Sequence, residues 1–187
     1  MTPAYHALRI SLRSNSLIKD RLLVIGLGNL LMGDDGVGIH VINELKKYDL
    51  SENLDVIDGG TAGVDLIDIL SSYRKVIVID AVMDKGDDLT DIKFFSTDDL
   101  LLREDDSDYS LHDMELTSVL SLMKTLDVDI PDIKIIGIPA AAVTPGIKLS
   151  KECERLVPEA VELILTMHRE IKNQNVNIKG LYYGGMP

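Results

Sequence analysis

The side chains in this sequence most suited to chemistry are acids. Asp34 and Asp35 stand together in the stretch Gly26-Leu27-Gly28-Asn29-Leu30-Leu31-Met32-Gly33-Asp34-Asp35-Gly36-Val37-Gly38. Asp58 opens Asp58-Gly59-Gly60-Thr61, Asp80 follows the apolar run 76–79, and His112 stands in Ser110-Leu111-His112-Asp113. Asp35, Asp80 and His112 make a set of two oxygens and one nitrogen. Such a set can hold a divalent transition metal while leaving coordination positions open, which suits chemistry or a visiting metal better than a structural clip. Each residue also has a plainer reading. The glycines make a tight turn in which Asp34 or Asp35 caps the next helix. Asp80 caps a loop or pairs with Lys75 or Lys85, and a lone histidine at a helix start is ordinary. His6, His40 and His168 are expected to be bystanders. Cys153, ahead of an apolar helix with no base nearby, reads as a buried thiol.

A sheet must position these residues. Leu22-Leu23-Val24-Ile25 reads as a strand buried on both faces. Leu54-Asp55-Val56-Ile57 reads as a second, stopped by Gly59-Gly60, and Lys75-Val76-Ile77-Val78-Ile79 as a third, ending at Asp80. Asp91-Ile92-Lys93-Phe94-Phe95 gives a fourth strand and residues 133–138 a fifth. Val37, Val41, Leu45 and Tyr48 fall on one helical face. Val64, Ile67 and Leu70 mark a short helix, and Leu116, Leu120 and Met123 another. A last helix reaches about Ile171, with Leu156, Ala160, Leu163 and Met167 facing inward. Pro158 either kinks that helix or sits in its first turn. The order βαβαβ-β-αβα predicts an α/β fold with a central, mostly parallel, five-stranded sheet and helices on both faces. Ligands of such sheets bind beyond the carboxyl ends of the strands. Asp34 and Asp35 after strand one, Asp58 after strand two and Asp80 ending strand three all converge on that edge.

Composition sets the limits. The 187 residues suit one domain with short tails. Residues 1–20 are expected to form a flexible N-terminal extension, 21–172 a single α/β domain and 173–187 a flexible tail. The 19 basic and 31 acidic side chains leave 19 − 31 = −12, which disfavours nucleic acid and anionic membranes as partners. No apolar run approaches the roughly 18 residues of a membrane helix, and no secretory signal is present. Cys153 is the only cysteine, which excludes an internal disulfide and fits a reducing cytosol. Eleven acids lie between Asp84 and Asp113, so much of the charge reads as a solvated loop rather than as site chemistry.

Two alternatives remain at the level of motifs. Gly26-Leu27-Gly28 imitates the start of a dinucleotide fingerprint, but Leu31 occupies the third glycine position, and Asp34 and Asp35 would repel phosphates. The same fold also suits a non-catalytic chaperone for a metalloenzyme subunit. Serine-hydrolase chemistry finds no G-x-S-x-G here.

The first-loop stretch, Asp58-Gly59-Gly60-Thr61-Ala62-Gly63, Ile79-Asp80-Ala81 and His112, in that order and spacing over residues 21–171, resemble the hydrogenase maturation proteases. The resemblance implies a three-layer α/β/α sandwich. It implies a cytoplasmic, monomeric endopeptidase, aspartic-type and metal-linked. Such an enzyme removes a short C-terminal extension from the large-subunit precursor of a [NiFe] hydrogenase once nickel is in place. It puts metal contacts on Asp35, Asp80 and His112, catalysis on Asp35 and Asp80, and substrate selection on Asp58, Gly59, Gly60 and Thr61. The nickel is expected to arrive with the substrate, and other divalent transition metals to fit the same site. The chain departs from the family pattern at Ala140-Ala141-Ala142, where relatives often carry an acid or an amide.

Overall fold

The computed structural model describes residues 20–83, 91–101 and 111–174. The regions 1–19 and 175–187, which hold the expected extension and tail, lie outside the described residues, as do Lys85 and most of the acid-rich stretch. Five strands form one sheet: β1 (Leu22–Leu27), β2 (Leu54–Gly60), β3 (Lys75–Met83), β4 (Lys93–Ser96) and β5 (Asp132–Ala140). Their spatial order is β2-β1-β3-β5-β4. β1 pairs in parallel with β2 and β3, and β3 pairs in parallel with β5. Only β4, at the edge, runs antiparallel to its neighbour. The helices are α1 (Val37–Leu45), α2 (Leu66–Leu70), α3 (Thr97–Leu101), α4 (Leu111–Thr125) and α5 (Lys151–Gln174).

The alternation of side chains along the strands builds two cores. Leu22, Val24, Ile77 and Ile79 pack on one face with Val37, Val41 and Leu45 of α1 and Leu156, Ala160 and Met167 of α5. Leu23, Ile25, Val76 and Val78 pack on the other with Leu66, Ile69 and Leu70 of α2 and Leu116, Leu120 and Met123 of α4. The expected three-layer sandwich with a mostly parallel sheet is therefore the observed architecture. Burial on both faces is why β1 and the first half of β3 read as unbroken apolar runs.

Several local expectations are corrected. α1 ends at Leu45, which leaves Tyr48 outside the helix and exposed. In α2 the inward face is Leu66, Ile69 and Leu70, while Val64 lies in a preceding 3-10 turn and is exposed. Leu163 is only partly buried, and Val161 and Ile164 carry that part of the α5 face. Pro158 lies inside α5, beyond the first turn, and the helix runs on to Gln174. Strands β2 and β3 both extend past their expected ends because their neighbours continue alongside. Leu27 still pairs with Gly60, across an irregularity after Gly26. Met83 still pairs with Ala140.

Candidate active site

The candidate site lies at the carboxyl edge of β1, β2 and β3. The loop after β1 runs into a 3-10 turn, Gly33–Gly36, and then into α1. Gly38 fixes where that turn sits. A side chain at Gly38 would put its Cβ 2.3 Å from the Leu27 carbonyl oxygen and 2.5 Å from that of Ile79. Only a hydrogen fits, so the start of α1 presses against the ends of β1 and β3. Asp35 precedes that contact by three residues and Asp80 follows it by one. The turn carrying Asp35 packs on β3, which carries Asp80. The two acids that the sequence groups together therefore stand on elements that pack against each other. The expected placement of Asp80 at the strand end is corrected: Asp80 lies within β3, in register with Gly137 of β5.

Both acids are buried, Asp35 at 6% exposure and Asp80 at 2%. Buried carboxylates persist only where hydrogen bonds or countercharges compensate for lost hydration. Asp35 Oδ2 accepts the Asn29 backbone N–H at 2.9 Å, and Asp80 Oδ1 accepts the Ala81 N–H at 2.8 Å. The loop's glycines serve the chain's own backbone. Gly28 has φ +128°, and a Cβ there would lie 1.8 Å from the Asp35 carbonyl oxygen. The loop opening that imitates a nucleotide fingerprint is therefore filled by its own turn.

Asp34 does not cap α1. The residue at that cap is Gly36, and no side chain bonds there. The Asp34 carboxylate is fully buried and joins two loops instead. Its Oδ2 accepts the Ala141 and Ala142 N–H groups, each at 2.9 Å, and the Ser150 hydroxyl at 2.8 Å. Its Oδ1 accepts the Ser150 N–H at 2.6 Å. The Ser150 Oγ in turn accepts the Cys153 N–H at 3.2 Å, capping α5. Ala141 and Ala142 thus meet Asp34 through backbone N–H groups, which any residue but proline would supply. The neighbouring Cys153 is fully buried. Burial pushes its thiol pKa well up, and the Asp34 charge adds to the shift. A buried, protonated thiol is a packing group, as the sequence indicated.

Asp58 is exposed on β2, and its Oδ1 accepts the Gly60 N–H at 3.0 Å. Gly59 and Gly60 complete β2, and Thr61 follows in an exposed turn. These four residues border the carboxyl edge beside the β1 loop, where the Gly28 N–H donates to the Gly60 carbonyl at 3.0 Å. His112 is the second residue of α4. That helix leads back to the start of β5, so its first turn begins at the carboxyl edge. The His112 side chain lies outside the described residues. Among the described residues, no group of three or more His, Cys, Asp or Glu side chains is arranged to hold a metal.

Of the other histidines, His40 and His168 are among the described residues. His40 is partly exposed on α1. His168 is nearly buried on α5, with its Nε2 3.1 Å from Ser51 Oγ. A hollow of about 450 Å³ beside His168 opens at the opposite, amino-terminal edge. Of the cations lining it, Arg21 and Arg74 are paired with Asp55 and Asp20. None of the described helices is long and apolar enough to cross a membrane.

Comparison with known proteins agrees with this arrangement. A family model described as hydrogenase maturation protease matches residues 39–167. A putative hydrogenase maturation protease of Methanocaldococcus jannaschii is 33% identical over 161 residues, covering 79% of this chain and 96% of the relative. The hydrogenase 2 maturation protease of Escherichia coli is 27% identical over 157 residues, covering 80% and 92%. Among solved structures, the hydrogenase maturating endopeptidase HybD of Escherichia coli matches with a TM-score of 0.70 at 25% identity, covering 80% of this chain and 93% of that one. A [NiFe] hydrogenase maturation protease from Thermococcus kodakarensis matches with a TM-score of 0.66 at 28% identity, covering 79% and 98%. The family model spans more than half of this sequence, and solved members share its fold: the chain belongs to the hydrogenase maturation protease family.

Proposed function

We propose that this chain is the endopeptidase that removes a short C-terminal extension from the nickel-loaded large-subunit precursor of a [NiFe] hydrogenase. The observation that carries the reading is that two buried carboxylates, Asp35 and Asp80, stand on a 3-10 turn and a strand, β3, that pack together at the carboxyl edge. His112 begins at the same edge through the path of α4. Two oxygens and one nitrogen fit a divalent transition ion whose remaining ligands belong to the substrate. The nickel, carried in by the precursor, supplies Lewis acidity toward the scissile carbonyl or a water. Asp35 and Asp80 are the chain's own proton-handling groups, and their burial strengthens their interaction with any cation that enters. Asp58, Gly59, Gly60 and Thr61 border this edge and are the residues we assign to substrate selection. The enzyme acts as an aspartic-type, metal-linked peptidase, as a cytoplasmic monomer.

The test is cleavage of purified precursor, with and without nickel. Wild-type protein should shorten the nickel-loaded form and leave the nickel-free form intact. Asp80→Asn should fold normally and cut nothing. Full cleavage by that variant refutes the assignment, and a stable uncut complex with the wild-type protein points to a chaperone instead.

A further inference from the structure

The described chain leaves eight large hydrophobic side chains exposed, and five of them, Leu30, Leu31, Val64, Met83 and Ile147, lie on the carboxyl edge. Scattered single hydrophobics are ordinary, but a cluster on the edge that carries the candidate site marks a contact surface. Ile147, Val64 and Leu31 stand out furthest, at 70%, 68% and 66% exposure, and of the three Leu31 and Ile147 sit on loops bonded to each other. They belong to different loops, one after β1 and one after β5, and the backbone holds those loops together. The Gly146 N–H donates to the Leu31 carbonyl at 2.8 Å, and the Gly33 N–H donates to the Gly146 carbonyl at 2.8 Å. Met32 and Gly146 form an isolated parallel bridge. The four hydrogen bonds to Asp34 fasten the same two loops from beneath. An aliphatic side chain on a free loop can fold back and bury itself. On loops pinned this way it stays in water.

The charge distribution says what kind of surface should meet it. Residues 26–33 and 140–149 total 18 positions and hold one charged side chain, Lys148. At the 27% charged content of the whole chain, about five would be expected. In a protein of net charge −12, this zone is kept free of acids. It adjoins Asp35, which follows Leu31 by four residues. An uncharged ridge of two projecting aliphatics fits an apolar depression on a folded partner. A bare extended peptide would instead need a groove with main-chain partners.

We propose that Leu31 and Ile147 form a rigid apolar ridge that docks the folded body of the protein substrate, while the carboxylates beside it receive the segment to be cut. The proposal rests on the function proposed above. It adds a contact that recognises the body of the substrate rather than its metal or its tail.

The experiment compares wild type, the double variant Leu31→Gln/Ile147→Gln, and Leu126→Gln. Leu126 is exposed beyond the end of α4, near the amino-terminal edge, and serves as control. Steady-state cleavage of the nickel-loaded precursor is measured together with precursor affinity by calorimetry, sedimentation and melting temperature. The ridge predicts that the double variant raises KM and Kd at least about tenfold, with kcat within about twofold and Tm unchanged. Leu126→Gln should match wild type. Unchanged KM and Kd overturn the proposal. So does a fall in kcat at constant KM, or a wild-type dimer that the double variant converts to monomer, since the ridge would then cover a second copy. Wild-type protein that binds the precursor but never cuts it refutes the proposed function alone, and the Kd comparison still decides the ridge.

Discussion

Replacing Asp34 by Asn tests whether one buried carboxylate holds the carboxyl edge together. In the native protein its two oxygens accept four hydrogen bonds from Ala141, Ala142 and Ser150. An amide has one oxygen and one N–H2 group. With the oxygen placed on Ala141, Ala142 and the Ser150 hydroxyl, the N–H2 faces the Ser150 N–H, donor against donor. With the amide reversed, it faces the Ala141 and Ala142 N–H groups instead. The better orientation loses one charge-assisted bond and leaves buried donors facing each other, about 2–3 kcal/mol. The three surviving bonds become neutral, at a further cost of about 0.5–1 kcal/mol each. The total is about 3.5–6 kcal/mol against a whole-domain stability of about 5–15 kcal/mol. For a chain of this size, Tm should fall by roughly 10–20 °C. Asp58→Asn is the control. That acid is exposed and bonds only to a neighbouring turn, so its loss should cost less than about 1 kcal/mol. Denaturant and thermal unfolding read both. Loss of less than about 1 kcal/mol in Asp34→Asn, or equal losses in the two variants, refutes the reasoning.

Three further outcomes are expected. Gly28→Ala meets both a positive φ and the Asp35 carbonyl, so it should destabilise by about 2–4 kcal/mol and depress cleavage by displacing Asp35. Normal Tm and activity in that variant would show that the loop has another conformation available. His168 has its pKa lowered from 6.5 by burial, with Lys172 and Arg169 adding to the shift. The unfolded chain therefore binds more protons between the two pKa values. The contribution is complete above about pH 6.5 and is lost as pH falls through the lower folded value. His168→Gln should flatten the fall in stability below pH 6.5, and parallel pH profiles for variant and wild type would count against it. Cys153 should resist thiol reagents in the native state and react at the rate of unfolding, because it is buried and its thiolate is disfavoured. Rapid labelling of folded protein would contradict the packing described for the start of α5.

Much of the site was legible before folding. The sequence indicated a mostly parallel sheet because strands and helices alternate, and the unbroken apolar runs of β1 and β3 suit strands covered on both faces. It then brought Asp35, Asp58 and Asp80 to one edge through the rule of strand polarity. Element ends were less legible. Strand length is set by how far a neighbour continues, so β3 runs past Asp80 because β5 accompanies it to Ala140. The phase of α2 was missed for a similar reason, since Val64 is apolar but the packed face is chosen by the sheet beneath. A turn of five residues has too few positions to reveal its own period.

The division of labour between Asp34 and Asp35 shows the boundary most clearly. In sequence they are adjacent, chemically identical and flanked by glycines, so residue type and spacing give no ground for choosing between their roles. Their surroundings come from residues more than a hundred positions away. Ala141, Ala142 and Ser150 reach Asp34 and make it the tie between two loops. Asp35, one residue on, accepts the Asn29 N–H instead, on a 3-10 turn that packs against β3. By itself the sequence determined that acids would gather at the carboxyl edge, because periodicity and strand order are local properties. Only the tertiary structure decided which of the two adjacent acids ties the loops together. That choice depends on backbone donors brought together by long-range packing.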